Sequence, residues 1–158
     1  MRLQDQVVRL TQRALDDVIR AAEAVPEDKL DWVPMGQARS VLHQMQEIAV
    51  SGQWFIPILR DRKVPEFDSH AIRESRRLMA ANDTLDKCIA SAREGTSELC
   101  QTIAAVPTEV LEEELVLPFG GGTRMTMADI LLLHHNNMVY HLGQINSVQL
   151  MLGDKEMH

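Results

Sequence analysis

Residues 131–152 read LLLHHNNMVYHLGQINSVQLML, and this stretch decides the fold. Residues of similar character recur along this stretch at alternating spacings of four and three, which is the repeat of one face of an α-helix. One stripe along this predicted helix mixes apolar and polar side chains: Ile130, His134, Asn137, His141, Gln144 and Val148. The neighbouring stripe is apolar: Leu131, Met138, Leu142, Ile145 and Leu152. The polar side chains therefore lie in or beside the buried arc and need partners, because an unpaired buried polar group costs about 1–3 kcal/mol.

Three earlier segments have the same helical periodicity and are bounded by capping and helix-breaking residues. Their predicted bounds are Met1 to Val25, Ser40 to about Arg60, and Thr84 to the residue before Pro107. The polar link from Asp61 to Ala81 has room for a short helix at its start. A link of this length permits a crossover along a bundle in place of a tight antiparallel turn.

The chain before the last helix breaks the helical repeat. Residues 108–125 contain a short apolar run and three glycines, which predict an extended piece and a turn. Thr126 and Asp129 have the spacing of a capping box, and Gly153 is a suitable residue after the end of the helix. The sequence thus predicts an all-α four-helix bundle, formed as one domain over residues 1–158.

Composition narrows the possible partners. The chain of 158 residues has 16 Lys and Arg against 23 Asp and Glu, a net charge of −7, which argues against binding to nucleic acid or to an anionic membrane. No apolar run reaches the ~20 residues of a membrane span. Cys88 and Cys100 are too far apart on one helix to form a disulfide with each other. We therefore expect a cytoplasmic protein with reduced thiols.

Two pairs of polar residues have the spacing of a ligand-binding site. Asn137 and His141 are four positions apart on the last helix, as are His43 and Glu47 on the second, and Trp54 lies on the same flank as the latter pair. Side chains at this spacing can hold one ion between two helices. The other interpretation is a hydrogen-bonded core network that sets the helix register.

A series of short motifs follows in order along the chain. They are a loop with Trp32 and Pro34, a helix that starts at Ser40, a Gly-rich turn at 120–122, and YHLGQI at 140–145 with an apolar tail that ends in Leu152 and Gly153. This order resembles the DinB-like superfamily, which includes the YfiT-like proteins. The most specific part is the motif His-x-Gly-Gln, here His141, Gly143 and Gln144.

The resemblance implies an up-down-down-up four-helix bundle, often a homodimer, with a divalent metal (Zn, Ni or Mn) bound by three histidines. One such histidine lies midway along the second helix, and two lie four apart on the last. His141 matches the last of these, whereas Glu47 and Asn137 stand at the other two positions. We therefore expect a metal at Glu47, Asn137 and His141, with His43, His134, Gln144 and Trp54 around it.

Two functions follow as hypotheses. Relatives of this kind include metal-dependent hydrolases and S-transferases or isomerases that use a low-molecular-weight thiol, and the resemblance implies a metal-activated water or thiolate acting on a small molecule. The alternative is a metal-free module that binds a small molecule or forms dimers. The two histidine positions occupied by Glu47 and Asn137 favour this alternative.

Overall fold

The computed structural model describes residues 1–156 and residue 158, and most of them are helical. The helices are α1 (Leu3–Glu23), α2 (Val41–Asp61), α3 (Ser69–Ala81), α4 (Leu85–Ala105), α5 (Met127–Leu131) and α6 (Leu133–Met151). Single 3₁₀ turns lie at Glu27–Lys29, Pro34–Gly36 and Thr108–Val110. A two-stranded antiparallel hairpin, β1 (Glu114–Leu117) and β2 (Thr123–Thr126), precedes α5.

Side-chain caps start the helices where the sequence predicts them. The Ser40 hydroxyl accepts the backbone N–H of His43 at 3.1 Å. Thr84 caps α4 in the same way. Thr126 and Asp129 form a reciprocal capping box at the start of α5. These bonds satisfy N–H groups that have no partner within the first turn of a helix, so they fix where each helix begins.

The four long helices run up, down, down and up. Three hydrogen bonds establish their directions: Gln46 Nε2 to the Asn82 carbonyl at 3.0 Å, Gln4 Nε2 to the Val106 carbonyl at 2.9 Å, and Gln149 Nε2 to the Ala21 carbonyl at 3.0 Å. The first places the start of α4 beside the start of α2, so those helices are parallel. The second makes α1 antiparallel to α4, and the third makes α6 parallel to α1. The crossover topology is thus confirmed.

Two local predictions differ from the structure. The helix in the crossover link, α3, occupies the end of the link and not its start, because Asp68 supplies the cap by accepting the N–H of Ala71 at 2.8 Å. The last helix is interrupted at Leu132, so that α5 and α6 replace one continuous helix. Gly153 ends α6 with φ +91°, a conformation that glycine adopts without steric cost.

Apolar side chains from the long helices form the core, which continues under the hairpin. His134 and His141 on α6 are each only 1% exposed and lie within this buried arc. Among the described residues, no helix is long and apolar enough to cross a membrane.

Candidate functional site

The antiparallel helices α2 and α6 bring Glu47 and His141 together. Glu47 Oε2 lies 3.4 Å from His141 Nε2, and the two side chains are 32% and 1% exposed. The imidazole is therefore buried while the carboxylate reaches the surface. We call this group, together with Arg39 and Gln44, the α2–α6 site.

Gln44, one turn before Glu47 on α2, sets the orientation of the imidazole. Its Nε2 donates to the Arg39 carbonyl at 3.5 Å, so its Oε1 faces His141 Nδ1 at 3.2 Å. We assign the proton to Nδ1, because an amide oxygen accepts hydrogen bonds and does not donate them. The lone pair is then on Nε2, which is buried and has no hydrogen-bond partner among the described residues.

Arg39 closes the site. It precedes the N-cap residue of α2, and its Nη1 donates to the same Glu47 oxygen that faces His141. The guanidinium side chain is 47% exposed, so this ion pair lies between the buried imidazole and solvent. From the surface inward, the site therefore consists of the Arg39 guanidinium, the Glu47 carboxylate and the His141 imidazole, each in contact with the next.

The surroundings of His141 keep its imidazole neutral. Burial lowers the pKa of His141 below its ordinary value. The carboxylate of Glu47 acts in the opposite direction, and the nearby side chains of Arg39 and His43 lower the pKa further. A neutral imidazole with its proton on Nδ1 offers an acceptor toward Glu47, so two acceptors face each other there.

His134, about two turns before His141, belongs to a second cluster with different chemistry. Its Nδ1 contacts the Ser51 hydroxyl at 3.3 Å and its Nε2 contacts the Thr96 hydroxyl at 3.0 Å. Burial, with a smaller contribution from His135, lowers the pKa of His134 to about 4. Both ring nitrogens are satisfied, so His134 acts as a neutral bridge between α2, α4 and α6.

Asn137 is bonded within the second cluster. Its Oδ1 accepts the Ser51 hydroxyl at 3.3 Å, and Ser51 also contacts His134. The structure thus brings Glu47 and His141 together, and it gives the Asn137 oxygen a protein partner of its own.

The other predicted site residues lie around these two clusters. His43 is exposed at the start of α2, and Gln144 is half-buried one turn after His141. Trp54 packs edge-on against Phe55 and at 5.3 Å between ring centroids against Phe119 of the hairpin turn. Trp54 therefore connects α2 to the hairpin.

The donor set does not fit the metal ion that the resemblance implies. The part of the chain that the structure describes contains no group of three or more His, Cys, Asp or Glu side chains able to hold an ion. Catalytic zinc sites use three protein donors; the structure brings Glu47 and His141 together, and the oxygen of the third predicted ligand, Asn137, accepts from Ser51. The guanidinium of Arg39 on the Glu47 carboxylate would also repel a divalent cation.

The chain's own thiols are unsuited to nucleophilic chemistry. Burial raises the pKa of Cys88 and of Cys100 to about 11. Both are protonated at neutral pH, and the thiolate is the reactive form. They behave as small buried hydrophobic side chains.

The four residues that complete the two clusters were not predicted from the sequence: Arg39, Gln44, Ser51 and Thr96. The sequence carries a signal for Gln44 alone, a polar residue beside the apolar positions of α2 and one turn before Glu47. Ser51 and Thr96 contact a histidine that is distant along the chain, and Arg39 contacts a residue eight positions away, so no local pattern marks these three.

Solved structures share this fold. YfiT from Bacillus subtilis, described as a probable metal-dependent hydrolase with an unusual four-helix bundle topology, matches with a TM-score of 0.75 at 15% identity, over 95% of this chain and 87% of YfiT. The DinB-like protein YjoA from Bacillus subtilis matches with a TM-score of 0.66 at 15% identity, over 97% of this chain and 95% of YjoA. The mycothiol-dependent maleylpyruvate isomerase matches with a TM-score of 0.68 at 10% identity; 92% of this chain is covered, but only 61% of the isomerase. Identities this low establish the fold alone.

Sequence comparison supplies the family. No curated protein sequence matches the chain. The family model of the DinB superfamily matches residues 10–145, which run from α1 into α6 and include every residue of the α2–α6 site. The chain belongs to the DinB superfamily.

Proposed function

We propose that this protein is a metal-independent member of the DinB superfamily that binds a small molecule carrying an amino group and a carboxylate at the α2–α6 site. One observation carries the proposal: His141 Nε2 is buried without a hydrogen-bond partner among the described residues, 3.4 Å from a carboxylate oxygen of Glu47. Buried polar atoms are nearly always paired, so with the proton assigned to Nδ1 this atom is an acceptor that requires a donor from outside the protein chain.

The required donor is a cationic one. An ammonium group placed between Glu47 and His141 donates to both acceptors and neutralises the carboxylate. A hydroxyl has a single proton and satisfies only one of them, and water or an amide donates to both but leaves the carboxylate charge unbalanced once Arg39 turns to the ligand. The ligand therefore contributes an amino group at this position.

The second group of the ligand is an anion, which we propose to be a carboxylate. When an ammonium group takes the Glu47 oxygen, the Arg39 guanidinium loses its partner and can pair with an anion of the ligand. Arg39 is 47% exposed and uses one nitrogen on Glu47, so its remaining N–H groups are available for a bidentate contact. A zwitterion thus exchanges one ion pair for two without a change in net charge.

Thermal unfolding in the presence of small amino acids tests this function. We expect amino acids to raise Tm, and matched amines or carboxylic acids of the same size to have no effect at equal concentration, because each leaves one half of the ion pair unmatched. Arg39→Gln and Glu47→Gln should both lose the response, and Arg60→Gln, a change at an exposed arginine paired with Asp61, should keep it. An equal response to the single-group compounds would contradict the proposal.

A metal-dependent hydrolase, or a thiol-dependent S-transferase or isomerase, is the second candidate. One observation favours it: Glu47 Oε2 and His141 Nε2 are 3.4 Å apart, close to the ~3.3 Å between two ligands of one tetrahedral zinc ion. A metal at Glu47, Asn137 and His141 stays a prediction of this candidate. Elemental analysis of protein purified without an affinity tag decides between the candidates, since stoichiometric Zn, Ni or Mn would overturn the metal-independent one.

We also propose that a second copy of this chain covers the outer face of α6. Val139, Tyr140, Leu150 and Met151 are 46%, 60%, 62% and 54% exposed on this helix. Residues 130–153 contain no Asp, Glu, Lys or Arg, although the chain carries a net charge of −7. In a two-fold symmetric dimer each charge near the axis meets its copy, so an uncharged apolar face suits such an interface.

Sedimentation equilibrium tests the dimer. We expect a dimer at micromolar concentration, and a monomer for Leu150→Lys, which would place two like charges in the interface. Val116→Lys is the matched control, because Val116 is a similarly exposed apolar residue, 55% exposed, on the hairpin. A monomeric wild-type protein, or equal effects of the two lysines, would contradict the proposed interface.

A further inference from the structure

We propose that Arg39 is a tethered cation that takes the place of a divalent metal ion beside Glu47 and His141, and that removal of its charge lets the site bind such an ion. This inference rests on the proposed metal-independent function and explains why the site would not bind a metal ion. It assigns to Arg39 the role of excluding metal.

The contacts of one oxygen atom support the assignment. Glu47 Oε2 faces the lone pair of His141 Nε2 at 3.4 Å, and the same oxygen accepts the Arg39 guanidinium. Two acceptors that face each other repel unless a positive charge lies beside them. Arg39 supplies that charge from the protein itself.

Covalent attachment gives Arg39 an advantage over any free ion. Its carbonyl accepts the Gln44 amide at 3.5 Å, and the next residue, Ser40, caps α2 through the N–H of His43 at 3.1 Å. The main chain of Arg39 is thereby held at the start of the helix that carries Glu47. A tethered group competes at a high effective concentration, whereas free divalent ions must bind from dilute solution.

The orientation of His141 is also that of a metal-binding histidine. The Gln44 amide oxygen accepts from Nδ1 and leaves the lone pair of Nε2 directed at Glu47. Histidines that bind metals are held in this way, with one ring nitrogen donating and the other free. The site therefore keeps two donors in a metal-binding arrangement while a guanidinium occupies the position of the ion.

Cobalt binding tests the inference, because Co²⁺ in a protein site with few ligands has visible absorption bands independent of any catalytic activity. Asn137→His adds an imidazole four residues before His141 on α6, the spacing at which two side chains of one helix can ligate the same ion. We expect Arg39→Gln/Asn137→His to bind Co²⁺ at least 100-fold more tightly than Asn137→His alone. Zn²⁺ should displace the Co²⁺, as followed by the loss of the bands.

Two control variants isolate the charge of Arg39. Arg39→Lys/Asn137→His keeps a cation at the site and should bind as weakly as Asn137→His. Arg60→Gln/Asn137→His removes an exposed arginine paired with Asp61 near the other end of α2, and it should also bind weakly. Circular dichroism and the unfolding midpoint of each variant establish that it is folded.

The outcomes separate this inference from the proposed function. Equal Co²⁺ affinity of Asn137→His and Arg39→Gln/Asn137→His, with both variants folded, would overturn the role of Arg39. Absence of tight binding in the folded double variant would overturn it as well. Stoichiometric metal in the wild-type protein would instead overturn the metal-independent function. If the double variant does not fold, Arg39→Gln is titrated in the wild-type background, where the inference requires tighter Co²⁺ binding than by the wild-type protein.

Discussion

His134 and His141 lie on the same helix and are equally buried, at 1% exposure each, yet their surroundings differ. His134 has a hydroxyl partner at each ring nitrogen, Ser51 and Thr96. His141 has the Gln44 amide at one nitrogen, while the other faces the Glu47 carboxylate without a hydrogen bond. Burial alone therefore does not distinguish a structural histidine from a site histidine. The number and charge of the partners do.

The difference follows from the groups that surround each ring. The ring of His134 lies against the backbone of α2, where a Cβ on Gly52 would be 3.4 Å from the imidazole. Within the described part of the chain, its polar partners are hydroxyl groups of neighbouring helices, so the cluster is neutral. His141 instead lies under an ion pair whose members are 32% and 47% exposed. The first arrangement stabilises the fold, and we propose that the second exchanges partners with a ligand.

The largest expected effect comes from His134→Ala. Loss of the imidazole leaves a cavity and removes the side-chain partner of the buried Thr96 hydroxyl, while Ser51 keeps its contact with Asn137. We expect the free energy of unfolding to fall by about 4 kcal/mol. His135→Ala, at the adjacent and less buried position, should change it by less than about 0.5 kcal/mol. Urea denaturation measures both, and similar losses would refute the structural role of His134.

Acid provides a second test of the same cluster. The pKa of His134 is about 4 in the folded protein, below the ordinary value of 6.5, so the unfolded chain binds the proton first. The stabilising contribution of neutral His134 is complete above pH ~6.5 and is lost as the pH falls toward 4, a loss of about 3 kcal/mol. Urea denaturation of wild type and His134→Asn across this range should show a flatter pH profile for the variant. Parallel profiles would mean that other groups carry the acid sensitivity.

A smaller effect is expected at Glu47. Glu47→Gln removes the charge that favours the imidazolium, so the pKa of His141 should fall further. Stability should change by less than about 1 kcal/mol, because the ion pair with Arg39 is partly solvated. Histidine NMR titration follows the pKa, with Glu94→Gln on the surface of α4 as the control. An unchanged His141 titration would place the carboxylate outside the site.

The smallest effect, of opposite sign, is expected at Arg39. Its charge lowers the pKa of His141, so Arg39→Gln should raise it toward the ordinary value. The same NMR titration measures the change, and the pKa of His134 should stay where it is in both variants. Shifts of the same sign for Glu47→Gln and Arg39→Gln would contradict the arrangement of charges described here.

Much of the architecture follows from local patterns in the sequence. The caps at Ser40, Thr84 and Thr126 were predicted, since each depends on residues three positions apart. The break at Leu132 was not, because the apolar repeat continues through it. The position of α3 in the crossover link was not predicted either, since the hydrophobic periodicity of that polar stretch is weak.

The candidate site was likewise predicted only in part. The polar stripe of α6 and the helical spacing of Glu47 and His43 were sufficient to predict that α2 and α6 share polar contacts, and Glu47 and His141 do meet. The side-chain partners of each residue on the stripe were not predictable. Asn137 was expected beside His141 as a ligand, yet its oxygen accepts from Ser51 in the cluster of His134.

By itself, the sequence determined the helices, the buried polar stripe of α6 and the family, because hydrophobic repeats, caps and short motifs act over a few neighbouring residues. Only the tertiary structure decided which histidine has hydroxyl partners and which faces a carboxylate. It also decided that Arg39 covers the site, since a side chain eight residues from Glu47 reaches it only when the preceding loop and the α2 cap set its direction. Such contacts depend on the packing of whole helices and loops, which no local pattern encodes.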